Sequence, residues 1–384
     1  MVRGIVAAIV FGAAIVTSYL IYGDGQGRDR TVALLFGFAF GVILQRSRFC
    51  FASGFRDVFL LRDRRVILGL IAALAVGSIG YLLQFLLQLQ SVGEYLPATA
   101  HIGRANWHLV LGGAAFGLGM VVAGGCISGN LYRLGEGQTT SPVALIGVLV
   151  GYNAAFLIWN SLWISTVAES REAWLPQWFG YAASFGLQFG LLGAAVILLL
   201  RHLPALPPKP AQPMTLSGLT RKIFVEAWPA WAGGIAVGLL GSVAFMFKNP
   251  LGVTAEIARV ARAMGDGWGI LPDRLQGLDV LRGCSMAETG GISLNGIFVL
   301  ALVAGSFAAA VGAGEFRLRL GKPRGYAFAF GGGILMGFGA MISIGCTVGA
   351  FLSGVMAFAL SGWLFGIGLL AGAYGGAWIL RRVA

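Results

Sequence analysis

Apolar residues in this chain neither alternate with polar ones at the period of a strand nor keep to one face of a helix. They fill whole windows of about twenty positions, the length a helix needs to cross a bilayer, and polar residues collect between the windows. Read in order, they predict ten spanning helices near 4–22, 31–47, 66–90, 108–125, 140–165, 178–201, 231–247, 290–312, 326–343 and 359–380. The first is too long for a signal-peptide core and lacks a small-residue cleavage site, so it is read as a span. Four shorter apolar stretches, near 50–61, 127–134, 251–263 and 347–356, follow the second, fourth, seventh and ninth spans. Being too short to cross, they predict half-helices.

Composition agrees. Of 384 residues, 57% are hydrophobic and 11% charged, with 61 glycines and a mean hydropathy of +0.82. So few charges cannot cover a water-facing surface, which excludes a soluble domain; the apolar content excludes disorder, and glycine without a G-X-Y period excludes collagen. The expected fold is an all-α polytopic membrane protein of about ten transmembrane helices with short re-entrant half-helices. A proline-rich stretch, PALPPKPAQPMTLSGLTRK, breaks the hydrophobic pattern at 204–222 and reads as a linker between residues 1–203 and 223–384.

A net charge of +12 would suggest a nucleic-acid binder in a soluble chain. Placed on the predicted spans, Arg3, the arginines of 46–65, Arg133, the basic residues of 201–222 and 317–324, and Arg381 and Arg382 fall on one side. By the positive-inside rule that side is cytoplasmic, with both termini and the linker, and the nucleic-acid reading falls away. The three histidines show no metal-binding spacing, the four cysteines form no CxxC pair, and there is no P-loop. Neither a metal nor another cofactor is expected.

The chain also repeats itself. Residues 112–129, GGAAFGLGMVVAGGCISG, align without gaps on 332–349, GGILMGFGAMISIGCTVG, at a constant shift, matching Gly125, Cys126 and Gly129 to Gly345, Cys346 and Gly349. The two copies lie on oppositely directed spans, the mark of inverted repeats that meet at a midplane substrate site. A weaker match sets 41–54, with Cys50, against 241–254.

In each GC-x-x-G motif a long span stops and a short helix starts, and the N–H groups of such a start favour an anion. Ser128 and Thr347 add hydroxyls nearby. A neutral thiol is a weak donor that would hold an anion without trapping it, and its polarizable sulfur suits a sulfur-containing ligand. A lone membrane cysteine is more often a small hydrophobe. Recurrence singles out Cys126 and Cys346; Cys50, flanked by Arg48, stands between the two readings, and Cys284 is an accessory candidate without a repeat partner.

With RSRFCF at 46–51, GGCISG at 124–129, NPLGVTAEIAR at 249–259 and GCTVG at 345–349, the chain resembles the YeeE/YedE family of bacterial inner-membrane sulphur-transport proteins. The resemblance implies uptake of thiosulfate or a related sulfur anion, inverted repeats, cysteines at positions 50, 126 and 346 that contact the anion in succession, and a cytosolic TusA-like sulfur carrier as partner. Longer members are linked to selenium, so a selenium or other sulfur compound is the alternative substrate. The competing classes are a membrane sulfurtransferase forming a cysteine persulfide and an assembly protein without substrate.

Overall fold

The structure, a computed structural model, describes residues 27–88, 96–97, 100–204, 225–247, 251–278 and 292–383, together with 10–12, 14, 16 and 17. The predicted first span lies largely outside these residues, as do most of the 204–222 linker and Cys284.

The described chain is helical. Its elements are α1 (Gly27–Ser47), α2 (Phe51–Leu60), α3 (Arg65–Gln88), α4 (Trp107–Val122), α5 (Ile127–Gly135), α6 (Thr140–Leu162), α7 (Leu175–His202), α8 (Ala230–Met246), α9 (Thr254–Gly267), α10 (Leu294–Gly312), α11 (Pro323–Ile342), α12 (Thr347–Met356) and α13 (Leu360–Val383). Apart from their ends, helices satisfy their backbone groups within one segment, which is what hydrocarbon demands. Among the described residues, eight helical stretches are long and apolar enough to cross a membrane, and α8, at 17 residues, and α12 are shorter apolar helices. The chain is an all-α polytopic membrane protein. Each predicted half-helix follows a long helix in the expected place, as α1–α2, α4–α5, α8–α9 and α11–α12.

Packing runs through glycine. A Cβ on Gly119 would fall 2.5 Å from the Gly332 carbonyl oxygen, and one on Gly112 would fall 2.9 Å from that of Gly339. These α4–α11 contacts are reciprocal: Gly112 and Gly119 correspond to Gly332 and Gly339 in the repeat, so one contact maps onto the other. Small residues let membrane helices approach to backbone contact, where dispersion replaces the missing hydrophobic drive. The partners also exchange in pairs. Helix α13 packs on α4 as α6 packs on α11, and α10 packs on α1 as α3 packs on α8. Within the weaker repeat, Gly41 meets the Leu302 carbonyl and Gly238 meets that of Ala73. The helix bodies therefore correspond three residues earlier than the 41-to-241 match suggested.

Two ends can be distinguished. At the basic end Arg64 donates to the Leu203 carbonyl at 2.6 Å, Arg381 bonds the Phe59 carbonyl, and Arg46 pairs with Glu315. At the opposite end Arg104 donates to the Val167 and Ala168 carbonyls at 3.0 and 2.8 Å, and Trp159 Nε1 donates to the Gln276 carbonyl at 2.9 Å.

Candidate functional site

Cys50, Cys126 and Cys346 occupy one local geometry. Each is the N-cap of a short helix, of α2, α5 and α12 respectively, with extended backbone. Two residues before each stands a left-handed residue: Arg48 at φ 50, Gly124 at φ 78 and Ile344 at φ 55. The N–H of each of these donates to the carbonyl three residues back, on Gln45, Val121 and Met341, at 3.3, 3.2 and 3.1 Å. A left-handed residue closing a helix frees the chain to start again in a new direction. Glycine adopts that conformation at no steric cost, whereas β-branched Ile344 is an outlier there. After each cysteine the carbonyl accepts from the residue four on, Gly54, Asn130 or Ala350, at 3.0, 2.8 and 2.8 Å. At the fourth break the N-cap of α9 is Val253.

The three thiols are buried, at 1%, 0% and 1% exposure, and none is in a disulfide. Cys50 and Cys126 lie together, Sγ to Sγ 4.0 Å. The Cys126 thiol meets the Ser128 hydroxyl at 3.3 Å and accepts from the Gly129 N–H at 3.4 Å. Gly129 lies against both thiols: a Cβ there would stand 2.7 Å from Cys50 Sγ and 3.3 Å from Cys126 Sγ. Gly125 backs onto the Arg133 guanidinium, whose Nη1 would lie 3.0 Å from an added Cβ. Arg133 also donates to the Gly124 carbonyl, and Asn130 Nδ2 holds the Gly125 and Cys126 carbonyls at 2.9 and 3.0 Å.

Gly345, Cys346, Thr347 and Gly349 stand at the other break. Phe351, one turn beyond Cys346, meets Phe55, one turn beyond Cys50, with ring centroids 6.1 Å apart, so the two short helices touch. Ser343, Ile344 and Ala350, which flank the Cys346 turn, line a small cleft at the end opposite the basic one, with His101, Arg104, Glu172 and Ser361. Burial pushes the His101 imidazole down to about 4, so it is neutral at pH 7.

Arg48 does not stand beside Cys50. Its side chain is 65% exposed and reaches Glu315 at 3.0 Å. The guanidinium set against the cysteine turn is that of Arg133, which the sequence offered only as a topology signal. Also missed was a clasp at the basic end: Arg46 donates to Glu315 and Gln45 at 2.8 and 2.7 Å, and Gln45 donates to Glu315 and Glu136 at 2.8 and 3.3 Å. Burial opposes ionisation of Glu315, but the Gln45 hydrogen bond and the Arg46 and Arg48 charges prevail and hold its carboxyl below the usual range. Burial raises that of Glu136. Among the described residues no three His, Cys, Asp or Glu side chains converge on a metal-sized site.

A family model described as "Sulphur transport" matches residues 46–375. The chain is 33% identical over 366 residues to a protein of Spirochaeta thermophila named thiosulfate transporter TsuA, covering 91% of this chain and 98% of that one. It is 26% identical over 366 residues to the Escherichia coli protein of the same name, covering 90% and 93%. Against the E. coli protein named probable transporter YedE, identity is 29% over 171 residues, 44% of this chain and 40% of the other.

Proposed function

The chain belongs to the sulphur-transport family and is a sulfur-compound transporter, and from that premise we propose that it imports thiosulfate, or a closely related sulfur oxyanion, across the bacterial inner membrane past Cys346, Cys126 and Cys50. The observation that carries the reading is the recurrence of one turn with a buried thiol at three helix starts. Each short helix directs the positive end of its dipole at its own N-cap. An anion losing water there meets backbone N–H groups and a weak S–H donor instead of a fixed ammonium. Staged weak sites favour passage over capture. The cleft beside Ile344 is the proposed entrance, from which the anion meets Cys346 before the Cys126–Cys50 pair. Gly125, Ser128, Gly129, Gly345, Thr347 and Gly349 supply the close backbone and hydroxyl contacts, and Arg133 adds positive potential behind the pair.

The exchange of helix partners supports two inverted repeats, 1–203 and 223–384, joined by the linker. The weight of Lys and Arg at one end supports cytoplasmic termini. A TusA-like carrier is the proposed acceptor on that side. Uptake of labelled thiosulfate into proteoliposomes tests the reading: Cys126→Ala and Cys346→Ala each lower uptake at least tenfold. Equal uptake by wild type and both variants overturns the site. Absence of uptake by wild type overturns the substrate, and a stable persulfide on any of the three thiols makes transfer chemistry, not passage, the reading.

A further inference from the structure

A second cavity, an open groove of about 740 Å³, lies at the basic end between the C-terminal part of α2, the start of α11 and the end of α13. Its lining carries Arg56, Lys322, Arg324 and Arg381 and is otherwise apolar, with Phe328 and Leu380 among the rest. Lys322 is the N-cap of the 20-residue α11, so the positive end of that helix dipole adds to the side-chain charge. Asp57 engages Arg56 at 2.8 Å, and Arg381 is fixed on the Phe59 carbonyl, which ties α13 to α2 beside the groove.

Neighbouring side chains set the depth of the groove. On α13, Tyr374 and Trp378 are 59% and 48% exposed, and the Arg382 guanidinium lies 3.8 Å over the Trp378 ring. An exposed aromatic under a cation marks the headgroup level of a spanning helix. The cations therefore stand where phosphates lie, and the apolar walls where acyl chains begin.

We propose that this groove binds an anionic phospholipid of the surrounding bilayer, its phosphate held by Lys322, Arg324, Arg56 and Arg381 and its acyl chains lying on Phe328 and Leu380. Basic pockets between spanning helices at the cytoplasmic leaflet take such headgroups. A soluble phosphate ester would match the cations but leave the apolar walls wet. The bound lipid bridges α11, which ends at the Cys346 turn, to α2, which Cys50 caps.

The test is thermal unfolding of the full-length protein in detergent, with phosphatidylglycerol, phosphatidylcholine of the same acyl chains, or glycerol 1-phosphate added. Phosphatidylglycerol raises the midpoint by about 3 °C or more over phosphatidylcholine. The doubly substituted Lys322→Gln, Arg324→Gln protein loses most of that difference, while Arg28→Gln, Arg30→Gln, which removes equal charge elsewhere, keeps it. Lys322 and Arg324 are exposed, so their loss leaves the core packed. Equal shifts from the two lipids, an equal shift from glycerol 1-phosphate, or equal responses of the two variants overturn the proposal. Retention of phosphatidylglycerol over phosphatidylcholine by native mass spectrometry of wild type is an independent readout, and equal retention overturns the proposal too.

Discussion

Gly129→Ala separates a passage between the thiols from mere packing there. The added Cβ would stand 2.7 Å from Cys50 Sγ and 3.3 Å from Cys126 Sγ, inside the ~3.5 Å at which heavy-atom contact turns favourable. Forcing a methyl into a filled site costs about 1–3 kcal/mol. Gly129 lies within α5, where alanine favours the helix by about 0.8–1.0 kcal/mol over glycine. The net effect on folding is thus about 0–2 kcal/mol, a small shift of the unfolding midpoint. An anion that must pass between the thiols gains no such offset. It has to displace the methyl again in passing, a separate overlap of the same order, about 1–3 kcal/mol, which slows passage about 5- to 150-fold at 1.36 kcal/mol per tenfold. Both thiols remain, so lost chemistry cannot explain lost uptake. The assay is labelled thiosulfate uptake into proteoliposomes at matched protein insertion, beside the unfolding midpoint in detergent. Uptake within twofold of wild type would refute a route through this gap.

Gly124→Ala tests the turn itself: at φ 78, with Arg133 Nη1 at 3.9 Å the nearest atom to an added Cβ, the penalty is conformational, about 1–2 kcal/mol. It is read as a lowered unfolding midpoint, and an unchanged midpoint would mean that the turn is not held left-handed. Glu315→Gln removes the charge facing Arg46, which is 2% exposed and bonded at 2.8 Å; a charged hydrogen bond contributes about 1.5–3 kcal/mol, while the pair with the 65% exposed Arg48 adds little. Because the Glu315 carboxyl is held below its ordinary value, its contribution is fully present above ~4.3 and is lost as pH falls through the lower folded-state value. Unfolding midpoints of wild type and Glu315→Gln therefore differ by a constant amount from pH 8 down to about 5 and converge in stronger acid; a difference that persists undiminished into stronger acid would contradict the assignment.

The four helix breaks were legible in the sequence because each leaves an apolar stretch too short to cross a bilayer beside one that crosses. The pairing of Cys126 with Cys346 was legible too, since a scarce residue recurs in a fixed glycine frame. Cys50 was not resolved, because its break carries Arg48 where the others carry Gly124 and Ile344. The shared property of those three is a backbone angle, which no residue type dictates. Arg48 misled for the same reason: a left-handed residue at the end of α1 sends its side chain outward to Glu315. The clasp was hidden because its members lie 91 and 270 positions apart along the chain and meet only through tertiary packing. Arg133 reads in sequence as a topology charge; only the turn at Gly124 brings its guanidinium back onto the cysteine backbone.

The helix contacts exchange in pairs, yet the chemistry at the breaks is unequal. Three N-caps carry a thiol, and the fourth carries Val253, which is fully buried and offers no side-chain donor. Cys346 stands by the cleft, whereas Cys50 and Cys126 face each other at 4.0 Å nearer the basic end. On the proposed route a dianion would meet one thiol first and then two, with the guanidinium of Arg133 behind them. Its nearest donor is occupied by the Gly124 carbonyl, so the charge acts at a distance. A field that strengthens inward without a direct ion pair draws an anion on and still lets it leave, which a bidentate arginine contact would not. Val253 follows the same logic: a fourth donor on the entrance half would even out the two halves and remove that inward bias.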